Sequence, residues 1–150
     1  MIAYPDTSFL CALYRWQDNS SEAIAHAQRM VEPLSISSLL LFKFRQSLRY
    51  QEFLHKKDPL KGFDHTTGLA ALAKVQANIA SGAVVVVSAD WTDVHQIAER
   101  LSARHTHVGG HRGFDILHVA TALHLGAGEF LTFDANQNKL AKAEGLRVPL

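Results

Sequence analysis

The 150-residue chain has a single cysteine, Cys11. It leaves no partner for an internal disulfide and excludes a zinc site built from several thiolates. Long hydrophobic runs are missing as well. "SGAVVVVSAD" and "SSLLLF" are the longest, well short of the ~20 apolar residues that span a bilayer. The opening residues, "MIAYPDTSFLCALYRWQD", carry neither the basic segment nor the apolar stretch of a signal peptide. A cytoplasmic protein with no membrane association is therefore expected. Charge of one sign is not in excess either, since 15 Lys and Arg face 14 Asp and Glu. Any nucleic-acid contact must then rest on a local basic patch. No internal repeat or low-complexity run interrupts the chain, and its length suits one domain over residues 1–150.

What is present is an alternation of short apolar runs with amphipathic ones. "IAY" before Pro5 predicts a first strand, and "SFLCALYRWQ" a helix that Asp6, Thr7 or Ser8 can cap. "SSEAIAHAQRMVE" predicts a second helix that stops before Pro33, and "PLSIS" a short strand. A long helix follows, with Leu40, Leu41, Phe44 and Leu48 on one face and Arg45 and Arg49 on another. After a loop from Lys56 to Gly68 come a helix closed by Gly82 and the β-branched run "AVVVVS". "ADWTDVHQIAERLSARHT" predicts a helix, "VGGHRG" a glycine-rich loop, and "FDILHVATALHLGAG" a helix stopped by Gly126 and Gly128. "EFLTFD", "ANQNKLAKAEGL" and "RVPL" predict strand, helix and final strand. Such alternation implies an α/β fold with a mainly parallel sheet covered on both faces.

Functional residues of parallel sheets gather at the carboxyl ends of strands. Asp6 and Asp134 stand at two such ends, and Asp115 opens a helix otherwise rich in apolar residues. Each has a plain alternative role, as a helix cap for Asp6 and Asp115 and a turn residue for Asp134. Together they form a carboxylate set of the kind that hard divalent ions prefer.

"YPDTSFLCALY", "RGFDILHVATAL" and "EFLTFDANQNKLAKAEGL" resemble the PIN-domain ribonucleases of the VapC toxin type, over essentially the whole chain. The resemblance implies a three-layer α/β/α sandwich and a metal-dependent endoribonuclease that uses Mg²⁺ or Mn²⁺ to activate water against an RNA phosphodiester. Matching motif by motif, Asp6, Asp115 and Asp134 would hold the metal, with Thr7, Ser8, Thr132 and Asn136 around them. It also implies a homodimer and a small cognate antitoxin as partners.

One position departs from the family. The helix after the second strand should supply a glutamate, and in "LFKFRQSL" Lys43 takes its place. The charge there changes by two, and the amine could lie among the three aspartates and stand in for the cation. Glu52, nine residues on, faces the other side of the helix at about 100° per residue. Catalysis is therefore expected to be impaired, and the rival reading is a non-catalytic PIN-fold protein that binds RNA or a partner. His111 and Arg112, just before Asp115, read as phosphate contacts, with Arg45 and Arg49 as further parts of a basic rim. His105, His107 and His111 have no obvious fourth ligand for zinc. His118 and His124 are expected at the core edge or surface, and Trp16 and Trp91 in packing.

Overall fold

Strands form where short β-branched or aromatic runs end in helix-capping residues. In the computed structural model, which describes all 150 residues, these are β1 (Ala3–Pro5), β2 (Leu34–Ser37), β3 (Val84–Val87) and β4 (Glu129–Leu131). Both ladders are parallel: β1 pairs with β4, Tyr4 opposite Phe130, and β2 pairs with β3, Ile36 opposite Val86. β1 packs beside β2, where Tyr4 Oη lies 2.7 Å from Ser37 Oγ, so the order across the layer is β3–β2–β1–β4. Pro5 is tolerated inside β1 for a directional reason. The next N–H, that of Asp6, donates to Leu131 of β4, so a donor at Pro5 would point toward β2, where no backbone ladder exists.

Helices cover this sheet as two packed groups. One comprises α1 (Thr7–Tyr14), α2 (Ser20–Arg29), α3 (Ser38–Lys57) and α4 (His65–Ser81). The other comprises α5 (Trp91–Leu101), the one-turn α6 (His107–Gly109), α7 (Gly113–His124) and α8 (Ala135–Ala143). The expected three-layer α/β/α fold with a parallel sheet is thus the one that forms. Asp6, Ser37, Asp64, Asp90 and Asp134 each accept a first-turn backbone N–H, which stabilises a helix start by about 1 kcal/mol. Phe44, Leu40 and Leu48 are fully buried along one stripe of α3, against a core that includes Tyr4, Phe9, Ile36 and Phe130.

Several expectations need correcting. The predicted last strand is a single bridge, Arg147 beside Glu129, because Pro149 brings no donor to extend it. The helix expected over residues 89–106 is α-helical only from Trp91 to Leu101, then widens into a π-helical turn over Ser102–Thr106. The expected glycine-rich loop is irregular only over residues 110–112: Val108 and Gly109 belong to the helical turn α6, closed by Gly110 at a positive φ of 64°, and Gly113 opens α7. The valine run of β3 lies at the sheet edge, so Val85 and Val86 stay partly exposed despite being the strongest strand signal. Trp16 points into solvent rather than packing, and His118 is fully buried rather than at an edge.

Candidate functional site

Asp6 sits where β1 gives way to α1, and its carboxylate is enclosed at 0% exposure. Oδ1 accepts from the Phe9 N–H at 3.0 Å and the Ser8 hydroxyl at 2.6 Å. Oδ2 accepts from the Thr132 hydroxyl at 2.5 Å and from Gln137 Nε2 at 2.7 Å. Two lone pairs on each oxygen make four accepting positions, and four protein donors fill them. Burial still pushes its pKa up to about 6. The bonds from Ser8, Thr132 and Phe9 pull it down, and the nearby charge of Asp134 pushes it up.

Asp134 follows β4 and caps α8. Its Oδ1 accepts from the Asn136 and Gln137 N–H groups at 2.8 and 2.9 Å. Thr132 ties the two aspartates together, donating to Asp6 and accepting from the Asp134 N–H at 2.9 Å. Ser8 makes a parallel tie, donating to Asp6 while accepting from the Phe133 N–H at 2.9 Å. Asp115 is the third residue of α7 and not its cap, a position that Arg112 holds. Its half-buried carboxylate accepts from Arg112 Nε at 3.2 Å, and the exposed arginine makes this a weak surface pair. Thr7 Oγ1 lies 3.4 Å from Nε2 of His118, one turn beyond Asp115, and so links the Asp6 turn to α7. Asn136 reaches outward, donating to the Gly109 carbonyl at 3.3 Å.

The basic residues are placed differently from expectation. Lys43 is half-buried and forms no ion pair with any of the three aspartates; its Nζ lies over the Phe114 ring, 5.4 Å from the centroid. Filled accepting positions on Asp6 and an aromatic face close at hand explain why the amine stays outside the cluster. Its charge is felt nonetheless. Burial first, and Lys43 second, hold the His118 pKa down at about 4. Arg45 turns to α4, donating to Gln76 Oε1 at 3.3 Å, and so does not join Arg112 in a continuous rim. His105 bonds Glu144 at 2.7 Å, and the His105–His107–His111 run assembles no metal site.

A family model for the PIN domain matches residues 3–143. The chain belongs to the PIN-domain family. No curated protein sequence matches it, but solved structures resemble it along nearly their whole length. Among them is VapC20 of Mycobacterium tuberculosis, a toxin that cleaves the sarcin–ricin loop. It has 20% identity and a TM-score of 0.66 over 97% of this chain and 96% of that one. FitAcB of Neisseria gonorrhoeae is similar at 14% identity and a TM-score of 0.65, covering 98% and 96%. VapBC2 of Rickettsia felis, bound to a DNA fragment from its promoter, has 12% identity and a TM-score of 0.65, covering 99% and 97%. At these identities the likeness establishes the fold.

Against the PIN-domain expectation of a metal centre, the arrangement is a poor match. Carboxylate oxygens are the right donors for Mg²⁺ or Mn²⁺. Yet Asp6 has no free lone pair, Asp115 is turned to Arg112, and Asp134 spends one oxygen on its helix. Nowhere do three acidic, histidine or cysteine side chains converge closely enough to hold one ion. As arranged, these residues do not make a divalent-cation site. Two residues of this neighbourhood escaped the sequence reading: His118, taken for an edge residue, and Gln137, whose amide reaches Asp6 from α8.

Proposed function

We propose that this PIN-domain protein is a VapC-like member of the endoribonuclease toxins in which metal-dependent RNA cleavage is impaired, while binding of RNA and of a protein partner is kept. One observation carries the reading: the Asp6 carboxylate is saturated by four protein donors, beside a helix that bears Lys43 where the family's glutamate is expected. Buried carboxylates need hydrogen bonds or a cation, and here hydrogen bonds meet that need. The rival, a PIN-fold protein that binds without ever cutting, is favoured by the same saturation and differs only in having no residual cleavage.

A cognate antitoxin partner is supported by the likeness to VapBC2 and FitAcB. A homodimer is supported by a shallow groove of about 400 Å³ lined by Leu39, Phe42, Trp91, His95 and Leu117, in which Phe42 is more than half exposed. No helix is long and apolar enough to cross a membrane, in keeping with a cytoplasmic role. The test is cleavage of a structured RNA pool by the native chain with Mg²⁺ or Mn²⁺, beside RNA binding followed by fluorescence anisotropy. We expect binding with weak, residual EDTA-sensitive cleavage. Brisk cleavage abolished by EDTA defeats the reading, and cleavage that is wholly absent favours the rival.

A further inference from the structure

Gln137 touches two of the three aspartates at once. Its backbone N–H donates to Asp134 Oδ1 at 2.9 Å, and its side-chain Nε2 donates to Asp6 Oδ2 at 2.7 Å. The residue is 4% exposed, and its carbonyl Oε1 is buried with no partner. That orphan is informative, because Asp134–Ala135–Asn136–Gln137 has the spacing of a capping box. In that motif the third residue of the helix turns back to accept from the N–H of the cap residue. Here the Asp134 N–H goes to Thr132 Oγ1, and the glutamine swings to Asp6 instead. Turning the amide over would set a carbonyl against a carboxylate, so Asp6 fixes its orientation. The amide thus occupies the accepting position on Oδ2 that a bound cation would need, at a point where Thr132 already takes the other.

We infer that Gln137 is a second lock on the acidic pocket, holding the Asp6 carboxylate in place of a cation, so that an acid restored at position 43 does not by itself restore metal binding. The inference rests on the impaired-nuclease reading and deepens it. Lys43 raises the local positive charge from outside the cluster, whereas Gln137 fills a coordination position within it. The two act by different means, and their removal should combine. Gln137 is a positioning residue in this account, since it acts through Asp6.

The experiment is a Mn²⁺ titration followed by loss of the free-ion EPR signal, on the folded native chain, Lys43→Glu, and Lys43→Glu combined with Gln137→Ala. The double variant is expected to bind at least about tenfold tighter than Lys43→Glu, with the native chain weaker than both. Far-UV circular dichroism and thermal melting check that each variant folds. Should the alanine variant unfold, Gln137→Met in the Lys43→Glu background keeps the volume, removes the donor and is read in the same assay with the same expectation. Equal affinity for Lys43→Glu and the double variant overturns the lock while leaving the impaired-nuclease reading intact. A double variant that binds no Mn²⁺ overturns it too, as does a native chain that binds as tightly as the double variant. The impaired-nuclease reading fails by a different result, brisk EDTA-sensitive cleavage by the native chain, so the two failures are distinguishable. A gain of affinity is an outcome that loss of a merely structural contact would not produce.

Discussion

A carboxyl buried as deeply as Asp6 costs the fold when it ionises, and an imidazole buried as deeply as His118 costs it when it gains a proton. Burial raises the Asp6 pKa from 3.8 to about 6 and lowers that of His118 from 6.5 to about 4. The signs oppose each other. The folded state binds the Asp6 proton more tightly than the unfolded chain does, so its contribution is present below about pH 4 and lost as pH rises through 6. The folded state disfavours a proton on His118, so its contribution is present above about pH 6.5 and lost as pH falls through 4. Each displacement is worth on the order of 3 kcal/mol, so the native chain should show little net change from these two groups between pH 4 and 6.5. Asp6→Asn should uncover the histidine, giving a Tm that falls on acidification across that window. Its Asn amide can also bond the orphaned carbonyl of Gln137 once that side chain turns over, so the variant should be at least as stable as the native chain at pH 7.5. His118→Leu should uncover the reverse slope. Thermal melts at half-unit pH steps test both, and parallel curves for all three proteins would contradict the assignment.

At the scale of elements, Ser37 joins three of them. It ends β2, caps α3 by accepting from the Leu40 N–H at 3.1 Å, and meets Tyr4 Oη of β1 at 2.7 Å with no solvent access. The Tyr4 hydroxyl is itself buried, with its pKa pushed up to about 12 mainly by that burial. Ser37→Ala removes a cap worth about 1 kcal/mol and takes the Ser37 partner from a buried hydroxyl that keeps only Thr121 beside it, which costs a further 1–2 kcal/mol or so. A loss of about 2–3 kcal/mol in urea unfolding, with an unchanged m-value, is expected; a loss below about 0.5 kcal/mol would mean that the junction is not held this way. Much of this layer was legible in the sequence. Alternating apolar runs mark β1, β2, β4 and the helices that follow them, and Asp6 reads as a possible cap of α1, because those signals are local; Ser37 does not read as a cap, and Asp134 reads as a turn residue. The π-helical turn at Ser102–Thr106 was not legible, since its residues carry the same period as the α-helix before it. "RVPL" misled because Val148 and Leu150 alternate as in a strand, while Pro149 between them has no N–H for a second rung.

At the scale of the whole molecule, the candidate site shows where local reading stops. Asp6, Asp115 and Asp134 were visible by motif, but their partners come from distant parts of the chain. Gln137 lies 131 residues from Asp6, and Lys43 finds its aromatic face on Phe114. Near-neutral net charge leaves RNA affinity to local cations, and the fold divides the expected rim. Arg112 stays largely exposed at the head of α7, while Arg45 turns toward α4. An exposed arginine on a phosphate contributes about one unit to the slope of log K against log salt, so Arg112→Ala should flatten that slope by about one and weaken binding to all sequences alike. Arg45→Ala should leave both quantities unchanged. Anisotropy titrations across a range of salt concentrations decide the matter. If Arg45→Ala flattens the slope as much as Arg112→Ala does, the nucleic-acid face extends across α3 and α4 and is broader than the head of α7.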